Sequence, residues 1–246
     1  MAALEGKTAI VTGASSGMGA AIARRFAAEG VRVVGGARRV ERIPAEATAL
    51  PLDVTDVESC EAFVAAALEQ LSGSVDLLVN AAGLALGRDL VDASKEEDEE
   101  QVIQTNVRGL MRMTRLLLPH IRDGGHIVNL GSIAGRQAYP SGSSYIASKF
   151  AVRGYTYALR EDLLGRPIRV TTVDAGLVET EFSIVRFRGN KDAADDVYRG
   201  VTPLTAEDIA DCVLFAVTRP LHVNVDEIVV KALQQTSGSR VQRNEE

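Results

Sequence analysis

Thr8-Ala-Ile-Val-Thr-Gly-Ala-Ser-Ser-Gly-Met-Gly19 is the stretch that decides the fold. Thr8–Val11 has the length and apolar content of a buried strand. Glycines end it in a turn, and a helical apolar pattern follows over Met18–Ala28. A strand, a glycine turn and a helix in that order form a site for a diphosphate at the helix N-terminus. Gly13 allows the tight turn, Gly17 lets backbone approach the diphosphate, and Gly19 lets the helix pack closely on the sheet. We therefore place Gly13, Ser15, Ser16, Gly17, Met18 and Gly19 at a nucleotide cofactor.

The pattern repeats along the chain. Strands are expected at Thr8–Val11, Arg32–Gly35, Thr48–Leu52, Leu77–Asn80, His126–Leu130, Arg169–Val173 and Glu227–Val230. Helices are expected at Met18–Ala28, Val57–Gln70, Glu97–Leu117, Tyr145–Leu164 and Ala206–Val217. The strands are apolar throughout, as when helices cover both faces of a parallel sheet. This predicts an α/β, Rossmann-like doubly wound parallel sheet of about seven strands in one domain over residues 1–246. Ser94 with Glu97 reads as a capping box opening an acidic first turn. Phe182–Tyr198 is longer than a usual connection and is expected to be a lid over the site. Gln234–Glu246 reads as a polar tail, either frayed or reaching a neighbouring subunit.

Composition narrows the function. A net charge of −6 offers no basic face for nucleic acid. No run of apolar residues is long enough to span a membrane, and no signal peptide opens the chain, so a cytoplasmic location is expected. Cys60 and Cys212 form no metal-like cluster, and no metal is expected.

The end of the second strand indicates which cofactor. Gly35-Gly-Ala-Arg-Arg39 has arginines where an NAD site usually carries a carboxylate. A guanidinium can bind a 2′-phosphate that a carboxylate would repel. NADP(H) is therefore expected, with Arg38 as its first reader and Arg39 second.

Tyr145 and Lys149 stand four residues apart, on one face of a helix, and thirteen residues after Ser132. A neighbouring ammonium is expected to lower the phenol's pKa towards neutral. A tyrosine acid/base is thus brought to the bound cofactor.

With these motifs the chain resembles the short-chain dehydrogenase/reductase family over essentially its whole length. The resemblance rests on Thr12-Gly-Ala-Ser-Ser-Gly-Met-Gly19, Leu52-Asp-Val54, Asn80-Ala-Ala-Gly83, Asn106, Ser132, Tyr145-Ile-Ala-Ser-Lys149 and Gly176-Leu-Val-Glu-Thr180. It implies a catalytic tetrad of Asn106, Ser132, Tyr145 and Lys149. Tyr145 would exchange the proton, Lys149 would hold the ribose hydroxyls, Ser132 would position the carbonyl, and Asn106 would hold a water. It further implies Asp53 and Val54 near the adenine, Asn80 and Gly83 near the adenosine ribose, and Val178 and Thr180 beside the nicotinamide carboxamide and diphosphate. Two positions depart from the family: Ala175 stands for its usual proline, and Ala81 for its second asparagine.

Asn80-Ala-Ala-Gly-Leu-Ala-Leu-Gly87, Gly176–Gly189 and Leu204-Thr-Ala-Glu-Asp-Ile209 are similar to the subgroup of NADP-dependent 3-hydroxy acid (serine/allo-threonine) dehydrogenases. This implies interconversion of a small 3-hydroxy acid and its 3-oxo acid or semialdehyde. A broad carbonyl or secondary-alcohol reductase is the alternative. A carboxylate substrate needs a cation, and Arg186, Arg188 and Arg136 are the candidates, Arg186 first. The family also implies a homotetramer built through the helices at Glu97–Leu117 and Tyr145–Leu164, which would cover Leu116, Phe150 and Leu159.

Overall fold

The computed structural model describes residues 4–244. Its centre is a parallel sheet of seven strands: β1 (Thr8–Thr12), β2 (Arg32–Ala37), β3 (Thr48–Pro51), β4 (Val75–Asn80), β5 (Ile121–Leu130), β6 (Arg169–Ala175) and β7 (Glu227–Val230). Their order is β3-β2-β1-β4-β5-β6-β7, and every neighbouring pair is parallel. The strand order reverses beside β1, so the connections leaving β1 and β4 diverge and open a crevice beyond their C-terminal ends.

Alternation along β1 explains the layers. Ala9 and Val11 join one core with Ile22 and Phe26 of α1 (Gly17–Ala28) and Ile209 and Val213 of α8 (Ala206–Val217). Ile10 points to the other face, towards Phe63 of α2 (Val57–Gln70), Met113 of α4 (Leu110–Leu117) and Leu159 of α5 (Ser143–Asp162). Between α2 and α4 in the chain lies α3 (Glu96–Ile103).

Several expectations change in detail. β5 begins at Ile121, not His126, because Ile121 pairs with Val75 across an irregularity in register that the flexible Gly124-Gly125 accommodates. The helix expected at Glu97–Leu117 is interrupted by a π-turn at Gln104–Gly109, between α3 and α4. The Ser94–Glu97 capping box does not form. α3 starts one residue after Lys95, and the Ser94 hydroxyl instead bonds Val91 O and the Glu99 carboxylate. By contrast, Thr205 and Asp208 cap α8 reciprocally. Leu159 lies in the core and Leu116 packs against it, which leaves Phe150 exposed.

The long segment expected as an irregular lid contains two short helices, α6 (Phe182–Arg186) and α7 (Lys191–Asp196). The tail folds back on this segment as far as residue 244: Asn244 N donates to Gly200 O, and Arg243 donates to the carbonyls of Asp196 and Val197. Glu245 and Glu246 lie outside the described residues. Among the described residues, no helix is long and apolar enough to cross a membrane. No group of three or more metal-binding side chains is found among them either.

His126 is fully buried in β5, with Nε2 2.7 Å from Thr171 Oγ1. Thr171 donates its own proton to Val225 O, so Nε2 carries the proton and donates to Thr171. Burial, with the nearby charges of Arg169 and Arg160, pushes the imidazole pKa down to about 3. An unfolded histidine titrates near 6.5, so the unfolded chain takes up a proton first as pH falls. The contribution is complete above pH ~6.5 and is lost progressively towards pH 3. Denaturant unfolding should show a loss of roughly 2 kcal/mol between pH 7 and pH 5. His126→Gln should flatten that slope; an unchanged slope would mean that other groups set it.

Candidate functional site

The crevice at the reversal is a cavity of about 420 Å³. Its floor is the turn between β1 and α1. Gly13 has φ +70°, and a side chain there would come within 2.8 Å of the Ala82 backbone. A Cβ at Gly19 would lie 2.4 Å from Gly13 O. These contacts explain the two glycines: the turn is folded against the loop after β4 and against its own helix. The N-cap of α1, Ser16, makes no side-chain cap, so the first N–H groups of the helix remain available to an anion.

Twelve of the expected cofactor residues line this cleft: Gly13, Ser15, Ser16, Gly17, Met18, Gly19, Arg38, Arg39, Asp53, Val54, Gly83 and Thr180. Tyr145 and Lys149 lie outside this lining, as do Asn80 and Val178. The Asn80 amide is turned inward, donating to Thr114 Oγ1 at 3.0 Å and to Asn129 Oδ1 at 2.8 Å. Val178 pairs with Leu204. Both therefore hold the walls in place. Leu52, Ala82, Thr105 and Glu181, which the sequence did not single out as site residues, also line the cleft, as do Phe182 and Val185 of the segment expected as a lid. Glu181 lies next to the expected Thr180, but nothing in its residue type marked it.

Arg38 is exposed and makes no hydrogen bond or ion pair among the described residues. Against burial, which raises it, the hydrogen bonds from Thr55 and the charge of Arg38 together hold the Asp53 carboxyl below its usual range. Arg39 is already engaged with Ser16 and Glu181.

The tetrad residues approach from three elements. Ser132 ends the exit from β5, and its Oγ accepts from Ala134 N at 3.1 Å. Tyr145 and Lys149 lie on α5, with Lys149 Nζ 5.8 Å from the Tyr145 ring centroid. Lys149 Nζ donates to Leu130 O at 2.8 Å. Asn106 sits in the π-turn, a distortion of the kind often found at functional sites. Its Nδ2 donates to Leu84 O and Ser148 Oγ, and its Oδ1 accepts from Leu84 N. Both amide protons are used, so a water held by this side chain must donate to it.

The electrostatics differ from the simple expectation of a tyrosine made acidic by its lysine. Burial raises the Tyr145 pKa above its ordinary value; the Ser132 hydrogen bond and the Arg186 charge only partly oppose it. Burial also lowers Lys149 to about 8, opposed by the charge of Asp174. Without a bound cofactor the phenol keeps its proton at neutral pH.

Phe182 meets the Tyr145 ring edge-on, with centroids 5.4 Å apart, at the boundary between the cleft and the tyrosine. Arg186 follows on the same helix, its guanidinium carbon 5.9 Å from the Tyr145 ring centroid and 5.7 Å from that of Tyr139. Its Nε, Nη1 and Nη2 donate to Gly87 O, Tyr139 Oη and Ser141 O. The other two arginine candidates are committed elsewhere. Arg136 binds Asp174 at 2.6 Å and also Glu227, and Arg188 pairs with Asp98.

The short chain dehydrogenase family pattern matches residues 7–190. An NADP-dependent 3-hydroxy acid dehydrogenase of Schizosaccharomyces pombe is 42% identical over the full length of both chains. A sulfoacetaldehyde reductase of Chromohalobacter salexigens is 44% identical, covering 92% of this chain and 93% of the relative. The solved closed form of a serine dehydrogenase complexed with NADP+ superimposes with a TM-score of 0.90 at 37% identity, over 97% of this chain and all of the other. The chain belongs to the short chain dehydrogenase family, and it is an oxidoreductase.

Proposed function

We propose that this member of the short chain dehydrogenase family is an NADP(H)-dependent oxidoreductase of small 3-hydroxy acids, with Tyr145 as the acid/base. The residues lining the cleft fit the cofactor. The uncapped N-terminus of α1 would hold the diphosphate, Arg38 the 2′-phosphate, and Asp53 and Val54 the adenine end. The relatives with NADP in their names or as bound ligand support this assignment. When bound, the nicotinamide gives or takes the hydride.

The chain's own residues supply placement and protons. Ser132 holds the substrate oxygen beside Tyr145. The protonated phenol donates to that oxygen during reduction and takes the proton back during oxidation. Lys149, fixed by Leu130 O, holds positive charge close to the phenol and stabilises it when the proton has left. Asn106 pins the loop at Leu84, which keeps the cleft wall next to Lys149 in place.

The observation that carries the substrate class is Arg186 over the Tyr145 ring. A guanidinium has five N–H donors, and the contacts of Arg186 leave some of them for a ligand. The substrates named for the relatives share one geometry: 3-hydroxy acids, serine and sulfoacetaldehyde each have an anion one carbon beyond the reacting carbon. With the reacting oxygen between Ser132 and Tyr145, that anion would face Arg186 on α6. The segment 182–198 acts as the lid over it.

The exposed Met111 and Phe150 give α4 and α5 apolar surface, which supports a homotetramer assembled through these helices. Light scattering should give four times 26.2 kDa; a monomer at micromolar concentration would refute this.

Tyr145→Phe should lower turnover by ~10² to 10⁴-fold while NADPH affinity stays within a few-fold. A variant with half the original activity would remove Tyr145 from the chemistry. Steady-state comparison of 3-hydroxy acids with their neutral esters tests the substrate class. Arg186→Ala should raise KM for the acids by ~10-fold or more and leave the esters nearly unchanged. Equal losses on both would make Arg186 structural, and activity confined to neutral substrates would favour the broad carbonyl reductase.

A further inference from the structure

Charged side chains from two segments meet across the mouth of the cleft. Glu181 directly precedes α6, at the start of the lid. Arg39 and Arg42 follow the end of β2. Arg39 Nη1 lies 3.1 Å from one Glu181 carboxylate oxygen, and Arg42 donates to that oxygen at 3.3 Å and pairs with the other as well. Arg39 Nη2 also donates to Ser16 Oγ in the glycine turn at 3.2 Å. The link therefore runs from the turn through Arg39 to the lid. Hydrogen bonds from Arg42 and Arg39 hold the Glu181 carboxyl below its ordinary range, so it is ionised at neutral pH.

We propose that Glu181 is a specificity-determining residue: by occupying Arg39 it limits how strongly the site prefers a dinucleotide carrying a 2′-phosphate over one without it. This rests on the NADP(H) reading and deepens it. Arg38 and Arg39 both line the cleft, but only Arg38 lacks an acidic partner among the described residues. A 2′-phosphate that engages Arg39 must displace Glu181 from it. It must also approach a rim that carries the Glu181 charge. Both effects oppose the phosphorylated cofactor specifically, because the unphosphorylated one brings no group to Arg39. All three side chains are about two-fifths exposed. Ion pairs in such positions are weak, so the effect is a tuning of the ratio and not a reversal of preference.

The test is fluorescence titration of NADPH and NADH against the full chain and its Glu181→Gln, Arg39→Gln and doubly substituted variants, at fixed low salt. Glu181→Gln should tighten NADPH about two- to fivefold more than NADH. Arg39→Gln alone should cost less NADPH affinity than Arg38→Ala, because Arg39 is already occupied. In the Glu181→Gln background, Arg39→Gln should remove the gain. An unchanged NADPH/NADH ratio in Glu181→Gln overturns the proposal. Equal weakening of both dinucleotides also overturns it, and would make Glu181 a tether for the lid. A loss on Arg39→Gln alone as large as that of Arg38→Ala overturns it too, since Arg39 would then read the phosphate directly. If the unmutated protein prefers NADH, the NADP(H) reading itself fails and the inference falls with it.

Discussion

Gly13 lies against the backbone of Ala82 so closely that no side chain fits between them. Two neighbouring hydrogen bonds hold this approach: Thr12 Oγ1 accepts from both Ala81 N and Ala82 N at 3.1 Å. The segment after β4 is thus clamped to the turn after β1. Two residues further on, the Asn106 amide grips Leu84 through its N–H and its carbonyl. One contact at the reversal of the sheet therefore fixes the cleft floor, and the π-turn carries that constraint to the tetrad. If it were lost, the glycine turn and Lys149 would no longer share a common frame.

The sheet was legible because its central strands are covered on both faces and are therefore largely apolar, with turn residues between, while the edge strands β3 and β7 are only partly buried. The glycine turn, the tetrad spacing and Arg38 were legible because each needs a particular residue type at a particular place. What was not legible depends on packing between distant segments. The π-turn leaves no mark in the amphipathic pattern of Glu96–Leu117, since one extra residue in a turn hardly shifts the apolar face. Asn80 matched a motif, but its inward-facing amide is set by Thr114 and Asn129, which lie 34 and 49 residues away. In the sequence Arg136, Arg186 and Arg188 are all candidate cations, Arg186 first. Their carboxylate or aromatic partners separate them, and those partners come from other strands and loops.

Burial sets the charge state of the site. Lys149 and Tyr145 are both pushed towards their neutral forms, the lysine to about 8 and the tyrosine above its ordinary value. The same low-dielectric surroundings strengthen every remaining charge interaction. Asp174 is buried beside this pair, and its charge favours the ammonium of Lys149. Its own carboxyl is raised by burial and held back by Arg136. Arg136 in turn bridges to Glu227, which Arg153 and Tyr157 also hold. A chain of partners across β6, β7 and α5 thus stands behind the lysine, which explains why Arg136 is not free to meet a ligand.

The lid concentrates opposite charges at the two ends of one short helix. Glu181 faces the outer rim with Arg39 and Arg42, while Arg186 faces inward over Tyr145 and Tyr139. Phe182 and Val185 between them line the cleft. Five residues are too few to bend independently, so a shift at one end of α6 must be felt at the other. On the proposed reading, a phosphate that drew Arg39 from Glu181 would change the hold on the outer end, and an anion that engaged Arg186 would change the hold on the inner end. Each ligand would thereby act on the helix that the other meets. Coupling between cofactor and substrate then needs no longer path than this helix, and its strength is bounded by the modest worth of exposed ion pairs at the outer end.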